Sequence, residues 1–186
     1  FNVHPGSAKD TMINAIAVAS EIQSLLPEAE SPRNTDGYEG FYHLTGMSGD
    51  VAHAESEYII RDHDAEKFAA KEENLRRIEE EMNEKYGAGT VKLEIKEQYR
   101  NMSEKIRPCY HLIENAEEAA RRAGMEPIIL PIRGGTDGAR LSFMGLPCPN
   151  LGTGGYAYHG PYEHITVEGM ELAVAMLKEL VKIYAE

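Results

Sequence analysis

The apolar residues of the first 98 or so positions switch repeatedly between a helical and a two-residue period, and this alternation restricts the fold more than any single motif. Phe1-Asn2-Val3 reads as a strand, and His4-Pro5-Gly6 turns the chain. Met12, Ala15, Ile16, Ala19, Ile22, Leu25 and Leu26 then recur at helical spacing, with Ser7 or Asp10 as the expected cap and Pro27 as the stop. Residues 28–40 are polar and carry Pro32, Asn34, Asp36 and Gly37, the composition of a loop. Residues 41–47 and 54–61 look like strands joined by a turn at Ser48-Gly49-Asp50. Residues 65–86 predict a second helix with one narrow apolar stripe, Phe68, Leu75, Ile78 and Met82, ended by Gly87 and Gly89. Val91, Leu93 and Ile95 alternate with Lys92, Glu94 and Lys96, as in a half-buried strand.

The resulting order, β-α-β-β-α-β, is the ferredoxin-like α+β pattern, and it assigns residues 1–102 to a first domain. Residues 103–186 follow another rhythm. A helix at 109–123 closes at Gly124. A short buried strand is expected at 128–132, a helical turn at 137–144, a brief strand at 149–151 and a long helix at 166–184. On that last helix Glu171, Lys178 and Lys182 share one face, and Val174, Leu177 and Val181 the other. This α-β-α-β-α order suggests an incomplete α/β portion, because two strands are too few for a stable parallel sheet. The missing strands are expected before Phe1. The absence of an initiator methionine likewise reads as a fragment or processed product.

Charge narrows the function. A net charge of −12 argues against nucleic acid and acidic membrane surfaces, which select basic patches. No run of 18 apolar residues exists to cross a bilayer. Cys109 and Cys148 lack metal-type spacing and read as reduced thiols of a cytosolic protein.

The chemistry concentrates in residues 133–164, which hold Arg133, Asp137, two glycine-rich turns, His159 and His164. Arg133-Gly-Gly-Thr-Asp137 follows an expected strand end, where α/β domains bind ligands. Arg133 suits a carboxylate, and Asp137 reads equally well as a helix cap. Gly152-Thr153-Gly154-Gly155 suits backbone hydrogen bonds to a peptide, and no lysine follows to make it a nucleotide loop. Spacing alone leaves His159 open between a surface loop histidine and a metal ligand. Glu163-His164 is not a zinc motif and reads as surface or supporting, while Asp62-His63-Asp64 reads as a solvated junction and cap. His43, His53 and His111 carry no constellation.

This run resembles the C-terminal signature of the M20 dizinc peptidases, and the resemblance extends to Asn2-Val-His4-Pro-Gly6 and to residues 37–44. Within that family it is similar to the tripeptide aminopeptidases, a similarity that Ser142-Phe-Met-Gly-Leu-Pro-Cys-Pro-Asn150 favours over a dipeptidase or deacylase. The resemblance implies a ferredoxin-like lid and dimerisation domain at 1–102, inserted in a catalytic domain whose C-terminal segment is 103–186. It makes His159 a ligand to one of two zinc ions and His4 an oxyanion-stabilising group, contributed by the partner subunit in several dimeric members. Arg133, Asn101, Thr153 and Gly154 would contact a short peptide substrate. The family's Glu general base and remaining metal ligands precede the lid, so this chain alone is expected to be inactive. The parent enzyme is expected to be a cytoplasmic homodimer, and the alternative reading of the isolated chain is a non-catalytic dimerisation or lid module.

Overall fold

The computed structural model describes residues 1–186. It is an α+β chain with six α-helices and two small antiparallel sheets of two strands each. Two compact units divide it, Phe1–Lys96 with Pro131–Gly134, and Glu97–Leu130 with Gly135–Glu186.

In the first unit, α1 spans Ala15–Leu25 and starts where Asn14 accepts hydrogen bonds from the amides of Ile16 and Ala17. The expected caps Ser7 and Asp10 lie outside the helix. Ser7 ends a 3-10 turn, Pro5–Ser7, and Asp10 adopts a left-handed φ of 60°. Strands β1 (Phe41–Gly49) and β2 (Ala54–Arg61) pair from Phe41↔Arg61 to Gly49↔Ala54, with a bulge between Leu44 and Gly46. The turn lies at 50–53, later than its sequence signal, because Asp50 accepts hydrogen bonds from the amides of Ala52 and His53. Those two bonds hold the Asp50 carboxyl below its usual range. Gly49 sits at φ 149°, and a Cβ there would collide with the His53 carbonyl and Ala54. Helix α2 (Ala65–Tyr86) is capped by Asp64, as expected, but the junction before it is not solvated, since the Asp62 side chain is buried and His63 half-buried.

The core of this unit is Leu26, Tyr42, Leu75, Ile78 and Met82, flanked by Ile22, Tyr58, Ile60, Tyr86, Val91 and Leu93. Three of the four stripe residues of α2 are therefore buried, and Phe68 is half-buried. The sheet contains two of the four expected strands. Phe1 exchanges both backbone hydrogen bonds with Ile13 instead of with β2. Residues 91–95 keep their alternating burial, but side chains of α2 satisfy their backbone. Asn83 bonds both polar groups of Val91 at 2.9 Å, and Glu79 accepts from the Leu93 amide at 2.7 Å. A segment whose amides are taken by helix side chains needs no neighbouring strand.

One buried charge in this unit escaped the sequence reading. Lys71 is 8% exposed, and its ammonium binds Glu30 and lies 3.6 Å from Asp62, whose side chain is 2% exposed. The Tyr42 hydroxyl donates to the Lys71 carbonyl at 3.3 Å and accepts from Asn74. A side chain at Gly40 would overlap the Asp62 carboxylate, so glycine is required there for close approach.

In the second unit, α3 (Ser103–Ile106) and a 3-10 turn, Arg107–Cys109, precede α4 (His111–Arg122), which lies within the helix expected at 109–123. Gly124 follows α4 at φ 81°. Thr136, not Asp137, caps α5 (Asp137–Phe143). Strands β3 (Gly155–Tyr156) and β4 (His164–Ile165) form a short hairpin base that the sequence did not announce. Helix α6 (Val167–Ala185) packs on α4 through Ala119, Ala120 and Met176. The expected strands at 128–132 and 149–151 join no ladder. Ile128 and Leu130 are 75% and 72% exposed, and Val174, Leu177 and Val181 of α6 also face solvent. An apolar run without polar alternation is the signature of a strand covered on both faces, and this chain supplies no second strand beside it.

Candidate active-site segments

The sequence-selected residues divide between the two units. His4 and Arg133 lie in the first; Asn101, Thr153, Gly154 and His159 lie in the second. His4 caps the first 3-10 turn, its Nδ1 accepting from the Gly6 amide at 3.1 Å. An amide only donates, so in the neutral ring the proton sits on Nε2, leaving an outward N–H donor.

Arg133 enters the first unit with residues 131–134. Its Nη1 donates to the Thr35 carbonyl at 2.7 Å, and its Nη2 to Thr35 Oγ1 at 2.7 Å and to the Glu39 carbonyl at 3.0 Å. The guanidinium also lies 5.2 Å from the Phe41 ring. The fork therefore closes the 35–39 loop, which a reading confined to the local motif missed. Its Nε is buried with no partner. Nearby His63 packs edge-on against Tyr38, and its pKa lies below the ordinary 6.5 because burial disfavours the charged ring, Asp62 opposing and Arg133 reinforcing. The unfolded ring takes up a proton more readily than the folded one, so His63 withdraws stability as pH falls through 6.5. We expect urea midpoints to drop between pH 7 and pH 5 by less in His63→Gln than in the natural chain.

In the second unit, Thr153, Gly154 and His159 come together on one loop, residues 152–165, whose ends β3 and β4 tie. Gly154 adopts φ 81°, and a Cβ there would lie 3.0 Å from Gly169 Cα at the start of α6. Thr153 Oγ1 meets the Tyr158 hydroxyl at 3.3 Å, and that ring covers Gly155 closely enough to exclude a side chain. Tyr156 stacks on His164 at 5.3 Å, and His164 Nδ1 lies 2.8 Å from the Tyr162 carbonyl. Ala157 and His159 both hold left-handed backbones, φ 54° and 65°, at the tip. The His159 amide donates to Glu163 Oε2 at 3.1 Å, while its exposed imidazole has no hydrogen-bond or ring partner within the chain. Asn101 Oδ1 accepts from the Ser103 amide at 3.0 Å. Gly135 belongs to packing, since Tyr99 occupies the space of its missing Cβ.

No group of three or more His, Cys, Asp or Glu side chains converges as a metal centre. Zinc requires three or four protein ligands, so the residues of this chain do not by themselves fit a zinc site, and His159 offers one unengaged donor. The two cysteines are free thiols. A groove of about 560 Å³ along α6 and the end of α4 is lined by Arg122, Met170, Val174, Lys178 and Lys182 among others, and by none of the candidate site residues.

Residues 2–90 match the peptidase dimerisation domain of the M20 family. The chain also resembles peptidase T over its whole length. It is 52% identical to Peptidase T of Caldanaerobacter subterraneus and 54% identical to that of Clostridium perfringens, in each case over 100% of this chain and 45% and 46% of the relative. The chain thus spans a little under half the length of the curated relatives it matches. The crystal structure of aminopeptidase PepT from Bacillus cereus superposes with a TM-score of 0.59 at 21% identity, covering 96% of this chain and 48% of that one, and so shares its fold. No helix is long and apolar enough to cross a membrane.

Proposed function

We propose that this chain is the lid, residues 1–102, and the C-terminal catalytic segment, residues 103–186, of a cytoplasmic zinc-dependent aminopeptidase that removes the N-terminal residue of tripeptides as a homodimer. The whole-length similarity to proteins named Peptidase T carries the reading. The exposed apolar run Ile128–Leu130 supports it, because that surface calls for the further strands such an enzyme would provide. In this reading the lid is of the ferredoxin-like type, of which α1, the β1-β2 hairpin and α2 are formed in this structure.

Each residue then takes a role suited to its geometry. His159 supplies one zinc ligand from a rigid loop tip, the others coming from polypeptide outside this chain. A bound pair of zinc ions would activate water and polarise the scissile carbonyl. The Nε2–H of His4 donates to the oxygen on which negative charge develops. Thr153 and the Gly154 backbone present hydrogen bonds along the peptide, and Asn101 adds an amide. Arg133 meets the terminal carboxylate by exchanging the Thr35 and Glu39 carbonyls for it.

The test is hydrolysis of a tripeptide in the presence of zinc. The 186-residue chain should show none, and a protein of the relatives' full length that contains it should show steady turnover. Turnover that co-purifies with the short chain and vanishes in His159→Ala would overturn the assignment.

A further inference from the structure

Two residues with left-handed backbones in one loop are costly. A non-glycine residue held there costs on the order of 1–3 kcal/mol and persists only where its surroundings enforce it. Ala157 and His159 are both in this state, at the tip of the hairpin that β3 and β4 close. Three hydrogen bonds cross the tip. The Gly160 amide donates to the Ala157 carbonyl at 3.2 Å, the Glu163 amide to the Gly160 carbonyl at 3.1 Å, and the His159 amide to Glu163 Oε2 at 3.1 Å. Only the last uses a side chain, and it acts on the strained residue itself. A bond to an ionised acceptor is stronger than a neutral one.

We propose that Glu163 is a positioning residue, whose carboxylate locks the left-handed backbone of His159 and so fixes the direction in which the imidazole is offered. This deepens the ligand role given to His159 above and rests on it only for the metal. A neighbouring pair of aromatic rings, Tyr156 on His164, clamps the base of the same hairpin and leaves Glu163 to hold its tip. The interaction is between a side chain and a backbone amide, so glutamine, which keeps an acceptor oxygen, should replace glutamate in part, whereas alanine should not.

Two measurements on Glu163→Ala, Glu163→Gln and His159→Ala test this. The first is hydrogen exchange at the residue 159 amide in the 186-residue chain, which needs no metal. The second is zinc affinity, by chelator competition, in the full-length protein that carries the chain. Glu163→Ala should exchange at least about tenfold faster and bind its weaker zinc about 10- to 100-fold less tightly, the range for losing a group that orients a metal ligand. Glu163→Gln should stay closer to the natural protein in both. Unchanged exchange in Glu163→Ala overturns the positioning role. So does a Glu163→Gln variant that loses zinc as completely as Glu163→Ala while its amide stays protected, because the carboxylate would then act on the metal directly. Retention of both zinc ions by His159→Ala overturns the ligand reading instead, and the exchange result still decides the lock by itself.

Discussion

In the proposed full-length enzyme, replacing His159 by alanine should remove zinc and tripeptide hydrolysis together. Loss of a group that merely orients a ligand already costs about 10- to 100-fold in affinity, so loss of the ligand itself should exceed about 100-fold. His4→Ala should behave differently. Its ring lies in the first unit, holds its own turn through Nδ1, and leaves Nε2–H as a donor. Removing one such donor should lower kcat by about 10²–10³ while both metals remain bound. Zinc content and kcat, measured on the two variants side by side, check both roles. Full zinc and near-normal kcat in His159→Ala would reject the ligand assignment, and a His4→Ala enzyme that loses only metal would reject the oxyanion role. In a dimer that exchanges His4 between subunits, mixing the two impaired variants should restore part of the activity, because one hybrid site receives an intact copy of each residue.

Local periodicity carried much of the first unit. The stripe on α2 and the alternation in the hairpin each encode a buried face, so both elements lie where the pattern placed them. Elements failed where a distant partner decides the outcome. Val91 and Leu93 alternate as a strand should, yet Asn83 and Glu79 occupy their backbone groups. Ile128–Leu130 reads as buried because it is apolar throughout, but burial requires neighbours that this chain does not hold. The loop bearing Thr153, Gly154 and His159 was legible from its glycines. The Glu163 lock was not, although Gly160-Pro161 between His159 and Glu163 marks a tight turn that brings the two together. Arg133 signalled a carboxylate partner, whereas its fork grips carbonyls almost a hundred positions earlier. A motif names the chemistry that a side chain offers, and only the fold names which groups receive it.

Lys71→Ala should be the most destabilising single change in the first unit. Lys71 lies on α2, one turn before Leu75 on the same buried face, and its ammonium is surrounded by Glu30, Asp62 and the Tyr42 ring. Burying an ion pair gains little net stability, because desolvation offsets the attraction. Breaking it is another matter. Alanine would strand the Asp62 carboxylate, 2% exposed, with no cation beside it. Removing one partner of such a pair costs about 3–5 kcal/mol, which in urea moves the midpoint by more than about 1 M at a slope of 1–3 kcal/mol/M. The double replacement Lys71→Met with Asp62→Asn should recover much of that loss, since it keeps the volume and removes both charges. Urea unfolding of the natural chain, the single variant and the double variant separates the possibilities. A Lys71→Ala chain within about 1 kcal/mol of the natural one would mean that water reaches and solvates Asp62 once the ammonium is gone. A double variant as unstable as the single one would place the cost in lost packing around Tyr42 and Asn74, whose hydroxyl and amide contacts surround the same lysine.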